Sequence, residues 1–181
     1  MVGAATAFGE DPVRLFVQDE SRLGLHEDVR RRLTARGTKP VQSMLPRYEY
    51  FWLYAAVEPA TGESLVLEMP ALDAHCFQAF LDEFAATYPE TLNVLVLDGA
   101  GAHTAGKLKV PENVLPVFLP PYSPELNPVE RLWQDLKKRM GSALHDTLAA
   151  QKARAAQLLC EYTQPQLASL CSFASVFAPA F

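Results

Sequence analysis

Residues 13–18 (VRLFVQ) are short, apolar and β-prone, and predict a strand running into Asp19. Residues 25–47 are polar and basic and are interrupted by Gly37, Pro40 and Pro46, which predicts a long loop or a twisted strand pair. Residues 48–57 (YEYFWLYAAV) are β-prone again. Pro59 and Gly62 then supply turn chemistry, and residues 64–69 (SLVLEM) return as a strand. This pair is the best hairpin pattern in the chain.

The period then changes. Phe77, Phe80, Leu81, Phe84 and Tyr88 recur at three- and four-residue steps, which predicts a helix starting near Asp73 as its cap and stopped by Pro89. The continuous apolar run 92–97 (LNVLVL) ends at Asp98 and suits a strand buried on both faces of a sheet. A short irregular or helical link is expected over 102–110. Residues 113–119 read as a further strand, at an edge because Pro116 has no amide proton to donate. Four prolines in the nine residues of PPYSPELNP force a stiff extended loop. A helix follows from Asn127 and Pro128, with Val129, Leu132, Trp133, Leu136 and Met140 on its buried face. Helices are also expected over 144–161 and 164–174.

The order strand, hairpin, helix, strand, strand, helices describes an α/β chain. A helical crossover before 92–97 makes that strand parallel to the first. Ligands of such sheets collect beyond the carboxyl ends of neighbouring parallel strands. If 13–18 and 92–97 are neighbours, Asp19 and Asp98 stand side by side.

Two adjacent carboxylates repel unless something positive lies between them. Mg²⁺ or Mn²⁺, which prefer oxygen ligands, resolve that repulsion. A third carboxylate permits two ions, the arrangement that clamps both oxygens of an in-line phosphoryl transfer. Glu130, on the first turn after the proline-rich loop, is the candidate. Asn127-x-x-Glu130 also has the spacing of a capping box, in which the glutamate serves only a backbone amide. Asp19 and Asp98 can each be read as ordinary strand-end turn residues.

Charge refines this picture. The chain of 181 residues carries a net charge of −5, with 49 % apolar residues, enough for a sizeable core. Acidic balance argues mildly against nucleic acid, but Arg30, Arg31, Arg32, Arg36, Lys39 and Arg47 form an acid-free basic stretch, and Lys137, Lys138 and Arg139 a second one. Either is a solvated surface or a grip for a phosphate backbone. Cys76, Cys160 and Cys171 are odd in number and widely spaced, which excludes a disulfide framework and points to buried thiols in a reducing cytoplasm. No run reaches the length of a membrane span, and the N-terminus is a poor secretory signal. The absence of a Gly-x-Ser-x-Gly elbow and of a phosphate-cradling Gly-Lys loop argues against hydrolase and nucleotide-binding classes. The aromatic run Tyr48, Tyr50, Phe51, Trp52, Tyr54 and Trp133 are expected to pack in the core rather than stack on bases.

Three blocks occur in order: Gln18-Asp19-Glu20-Ser21-Arg22-Leu23-Gly24-Leu25, Asp98-Gly99-Ala100-Gly101-Ala102-His103, and the stretch from Leu119 through PPYSPELNPV to Glu130-Arg131-Leu132-Trp133. Together they resemble the DDE transposases of bacterial insertion sequences, in the branch related to the mariner elements. The third block is long and highly specific, and the resemblance spans about residues 13–140. It implies a ribonuclease-H-like mixed five-stranded sheet flanked by helices. Residues 1–143 would form the catalytic domain, with the helices of 144–181 packed on it. It also implies an acidic triad of Asp19, Asp98 and Glu130 holding two Mg²⁺ or Mn²⁺ ions. Thirty-one residues separate Asp98 from Glu130, close to that superfamily's usual spacing. Glu20, the neighbouring acid, is expected on the opposite face of its strand.

The implied activity is DNA cleavage at transposon ends and joining of the 3′-OH to target DNA, within a homodimer. Arg30, Arg31, Arg32, Arg36 and Lys39 would hold the DNA backbone. His103 would meet substrate or a scissile phosphate, or hydrogen-bond within its own loop. The chain departs from its relatives at Gly99, where many carry Asn, and at Ala102, often aromatic. No helix-turn-helix end-recognition module fits before the first strand. The alternative reading is an inactive transposase remnant that binds DNA or dimerises.

Overall fold

The computed structural model describes residues 12–25, 49–98, 108–120, 123, 126–141 and 147–172. Among these, β1 (Val13–Gly24), β2 (Tyr50–Val57), β3 (Ser64–Met69), β4 (Leu92–Leu97) and β5 (Val114–Phe118) form one sheet, and α1 (Ala74–Thr87), α2 (Val129–Met140), α3 (Leu148–Cys160) and α4 (Gln164–Leu170) flank it. The order across the sheet is β3-β2-β1-β4-β5. β1 is antiparallel to β2 and parallel to β4, and β5 continues the parallel side as an edge strand. This is the expected mixed five-stranded sheet, with the expected neighbours at its centre.

Period-two alternation along the strands divides the core into two layers. Phe51, Leu53, Ala55 and Val57 of β2 face the same layer as Val17, Leu23 and Val96, where Leu132, Trp133 and Leu136 of α2, Ala155 and Leu158 of α3 and Leu167 of α4 pack. Tyr54 and Ala56 face the other layer with Phe16, Leu95 and Leu97, covered by Phe77, Phe80 and Phe84 of α1. The Phe77, Phe80 and Phe84 rings stack in series with centroids 6.2 Å apart, and Phe16 meets Phe84 edge-on at 5.0 Å. Full burial of each such ring contributes on the order of 2–3 kcal/mol. Among the described residues no helix is long and apolar enough to cross a membrane.

Local chemistry sets the element ends. Asp73 caps α1 by accepting from the Cys76 amide at 2.8 Å, as its sequence predicts. Thr147 caps α3 by accepting from Ala150 N at 3.1 Å. Asn93, the one polar residue of β4, is fully buried and donates to Tyr88 O and Thr91 O, both at 3.0 Å, tying the end of α1 to the sheet.

Four expectations change. The strand predicted to stop at Asp19 runs on to Gly24, because β2 supplies backbone partners from Val17↔Val57 through Gly24↔Tyr50. Asp19 therefore lies inside a strand and not at its end. Residues 108–110 are neither helix nor strand, so the helical option for 102–110 does not extend over them. Cys76 and Cys171 are buried thiols, but Cys160 is exposed at the end of α3. Of the aromatic run, Phe51 and Tyr54 are core residues, whereas Tyr50 is exposed beside the Arg22 guanidinium, 5.6 Å from its ring centroid.

Candidate active site

β1 and β4 run in parallel register from Val13↔Leu92 to Val17↔Val96. The ladder ends there, with Asp19 and Asp98 each two residues beyond the last pair, and the charge of Asp98 is felt at Asp19. The expected parallel neighbours are thus found, and both acids lie toward the carboxyl side of that pair. Asp19 shares its sheet face with Val17 and Leu23, the face that packs on α2, and Ser21 lies between them on the same side. Gln18 and Glu20 lie on the opposite side and join each other, Nε2 to Oε1, at 2.9 Å. Glu20 is thus directed away from the Asp19 face, as its strand position predicts.

Glu130 sits in the first turn of α2. Asn127 fixes that turn from both ends of its amide. Its Oδ1 accepts from Val129 N at 3.0 Å, and its Nδ2 donates to Gln18 O at 2.9 Å, the carbonyl that leads into Asp19. A capping box would have Glu130 bond back to the Asn127 amide. No such bond forms between these two residues; the Asn127 side chain accepts from the Val129 amide at the helix start instead.

The electrostatics centre on Asp19, which is only 8 % exposed. Its Oδ2 is buried and has no hydrogen-bond partner. Burial is the main cause that pushes its carboxyl up to about 8. The negative charge of Glu130 comes next, then Glu20 and, more weakly, Asp98, against the Glu20 backbone amide, which favours the ionised form. Asp98 and Glu130 therefore both act on Asp19. Among the described residues no three His, Cys, Asp or Glu side chains form a closed set of metal ligands as they stand. A buried, unpartnered carboxyl oxygen flanked by further acids is nevertheless the donor set that a hard divalent cation satisfies, and a neutral ligand would leave the charge uncompensated. The residues fit Mg²⁺ or Mn²⁺.

The other expected contacts divide. Arg30, Arg31, Arg32, Arg36, Lys39 and His103 lie outside the described residues. Of the second basic cluster, Arg139 is engaged in the fold: it pairs with Glu161 at 2.7 Å and lies 4.6 Å from the Tyr162 ring centroid. The link from Asn127 to Gln18 was invisible to sequence reasoning, which reads Asn127 as a helix cap and has no signal for a partner 109 residues away.

A five-stranded mixed sheet with an acid inside its central strand, a second acid past the parallel neighbour and a third at a helix start defines a ribonuclease-H-like fold with an acidic site. Residues 14–150 match the family model of the DDE superfamily endonucleases, and the chain belongs to that family. Over 87 residues it is 42 % identical to the uncharacterized protein y4pE/y4sA of Sinorhizobium fredii (strain NBRC 101917 / NGR234), covering 48 % of this chain and 64 % of that one. Among solved structures it is similar to a pre-cleavage Mos1 transpososome (TM-score 0.70, 14 % identity) and to the Mos1 transposase paired-end complex with left transposon end (TM-score 0.67, 14 % identity). Each similarity covers 91 % of this chain and 55 % of the other. A Mos1 mariner paired-end complex with Mn is similar at a TM-score of 0.64 and 16 % identity, over 90 % of this chain and 52 % of that one. The chain thus spans less than two thirds of the relative it matches and about half of these neighbours.

Proposed function

We propose that this chain is the catalytic domain of an insertion-sequence transposase, a divalent-metal-dependent DNA endonuclease and strand transferase in which Asp19, Asp98 and Glu130 hold the metal. The observation that carries the reading is the buried, unpartnered Asp19 oxygen under the influence of Glu130 and Asp98 in a member of an endonuclease family. When bound, the ions lower the pKa of an attacking water and stabilise the leaving 3′ oxygen.

The chain's own residues do the rest. β1 holds Asp19 rigidly, with its backbone paired to Ala55. Asp98 approaches from the adjacent strand end, and α2 brings Glu130 over the same sheet face. The dry surroundings of Asp19 strengthen its hold on a cation. Arg30, Arg31, Arg32, Arg36 and Lys39 neutralise phosphates of the DNA backbone, and His103 contacts the substrate. Cleavage and joining are both in-line attacks on a phosphodiester, so one site serves both, with water and then a 3′-OH as nucleophile. The partners in this reading are transposon ends, target DNA and a second copy of the chain, in the cytoplasm.

The test is nicking of supercoiled plasmid by the purified chain. Nicking is expected with Mg²⁺ or Mn²⁺ and not with EDTA. The Asp98→Ala variant is expected to lose it while keeping its circular dichroism spectrum. Undiminished nicking by that variant refutes the assignment.

A further inference from the structure

We infer that Asn127 is the positioning residue that sets Glu130 against Asp19, and that it does so through the strand rather than through the helix cap. The inference rests on the proposed site and concerns how that site is held together. Asn127 is only 4 % exposed, so its amide must be satisfied inside the protein. Its two ends go to different elements. The carbonyl end accepts from Val129 N at 3.0 Å, within its own helix start. The amide end donates to Gln18 O at 2.9 Å, in the middle of β1.

The strand partner has a particular place in the sheet. Backbone pairing of β1 with β4 runs through Val17↔Val96. Gln18 is the next residue, and its carbonyl belongs to the peptide unit whose nitrogen is that of Asp19. Asn127 Nδ2 therefore meets the strand one peptide from the buried acid, where the parallel ladder has given out. A buried carbonyl left there without a donor would carry a desolvation cost of about 1–3 kcal/mol. The same contact fixes the other side of the site. Glu130 lies three residues from Asn127, and Glu130 N meets Asn127 O at 3.3 Å in the first turn. One side chain thus ties the peptide before Asp19 to the turn that carries Glu130.

The consequence is separable from capping. Serine at position 127 keeps an oxygen acceptor for the helix start, since serine and asparagine are comparable caps. It is too short and lacks the amide donor to reach Gln18 O. Asn127→Ser therefore releases the strand link and keeps the cap. Supporting groups of this kind typically alter metal affinity 10- to 100-fold.

The experiment is calorimetric titration of Mn²⁺ into the purified wild-type chain, Asn127→Ser and Asp19→Asn, with the Mg²⁺ dependence of plasmid nicking measured alongside. Wild type is expected to bind, and Asp19→Asn not to. Asn127→Ser is expected to bind at least 10-fold more weakly. Its nicking rate at saturating Mg²⁺ should stay within about threefold of wild type, so that the metal requirement moves and the turnover does not. Asn127→Thr, which keeps the same cap chemistry, is the second variant and is expected to behave alike. Equal Mn²⁺ affinity in Asn127→Ser and wild type overturns the inference. So does failure of both variants to fold, which makes Asn127 a general structural residue. If wild type and Asp19→Asn titrate identically, the proposed site itself fails, an outcome distinct from either.

Discussion

Gly62 lies against Gln164, so close that a side-chain carbon on the glycine would stand 1.8 Å from the Gln164 carbonyl oxygen. Its φ of +79° also lies in the left-handed region that favours glycine. The β2–β3 turn and the first residue of α4 are therefore packed backbone to backbone, which seats the C-terminal helices on the hairpin. Gly62→Ala is expected to destabilise the fold by about 2 kcal/mol or more, since it adds both strain and overlap. Urea denaturation measures this, and a variant as stable as wild type contradicts the contact.

Asp19 should make the metal-free protein pH-sensitive. Its carboxyl is held at about 8 in the fold against an ordinary 3.8. The neutral form suits the folded state, so stability is greatest below the ordinary value and declines as pH rises toward 8, where Asp19 ionises in place. Asp19→Asn removes that decline. In EDTA the variant is expected to match wild type near pH 4 and to exceed it at pH 8 by on the order of 1–3 kcal/mol. Parallel pH profiles for the two proteins would speak against an isolated carboxylate at this position.

Divalent cations should act in the opposite sense. A ligand that binds only the folded state adds RT ln(1 + [L]/Kd), about 2.7 kcal/mol at a hundredfold excess over Kd. Mn²⁺ is expected to raise the Tm of wild type, and Asp98→Asn or Glu130→Gln to reduce that rise strongly, with Ca²⁺-free buffers throughout. Differential scanning calorimetry checks it.

At the other end of β1, Arg14 pairs with Glu58 at 2.6 Å and Glu63 at 2.5 Å, and lies 4.8 Å from the ring centroids of both Phe16 and Tyr88. Arg14 and, secondarily, the Thr61 hydroxyl hold the Glu58 carboxyl below its usual value, against the effect of burial. A depressed acid contributes stability above its unfolded value and loses it as pH falls through the folded one. Glu58→Gln is therefore expected to cost about 1 kcal/mol at neutral pH and progressively less below pH 4. A cost that is flat across acid pH would place the stabilisation elsewhere.

Much of this architecture was legible in residue periodicity. LNVLVL set β4 to the residue, because six residues bounded by Thr91 and Asp98 leave little room for another element. The Phe77, Phe80, Phe84 spacing and the Asp73 cap placed α1 for the same local reasons. The second half of β1 was not legible. Asp19-Glu20-Ser21-Arg22 has no apolar alternation, and only pairing with β2, some thirty residues on, keeps it extended. That failure falls on the proposed site: a polar segment tolerated inside a sheet is where chemistry overrides the folding pattern. Glu130 was ambiguous between cap and ligand because spacing alone cannot say where a carboxylate points. The Asn127 bonds resolve the cap, and they depend on tertiary contact.

Asp19 is set in a strand whose backbone is paired at Ala55, whereas Asp98 stands past the end of β4 and Glu130 on an opening helical turn. The proposed site thus has a stiff pole at Asp19, to which the Asn127 bond to Gln18 O ties the Glu130 turn, and a compliant one at Asp98, because element ends yield before ladder interiors do. In the proposed reaction, the change from a small water to a bulky DNA terminus as nucleophile would be taken up at Asp98. The central strand would then serve as the fixed reference from which both proposed steps are measured.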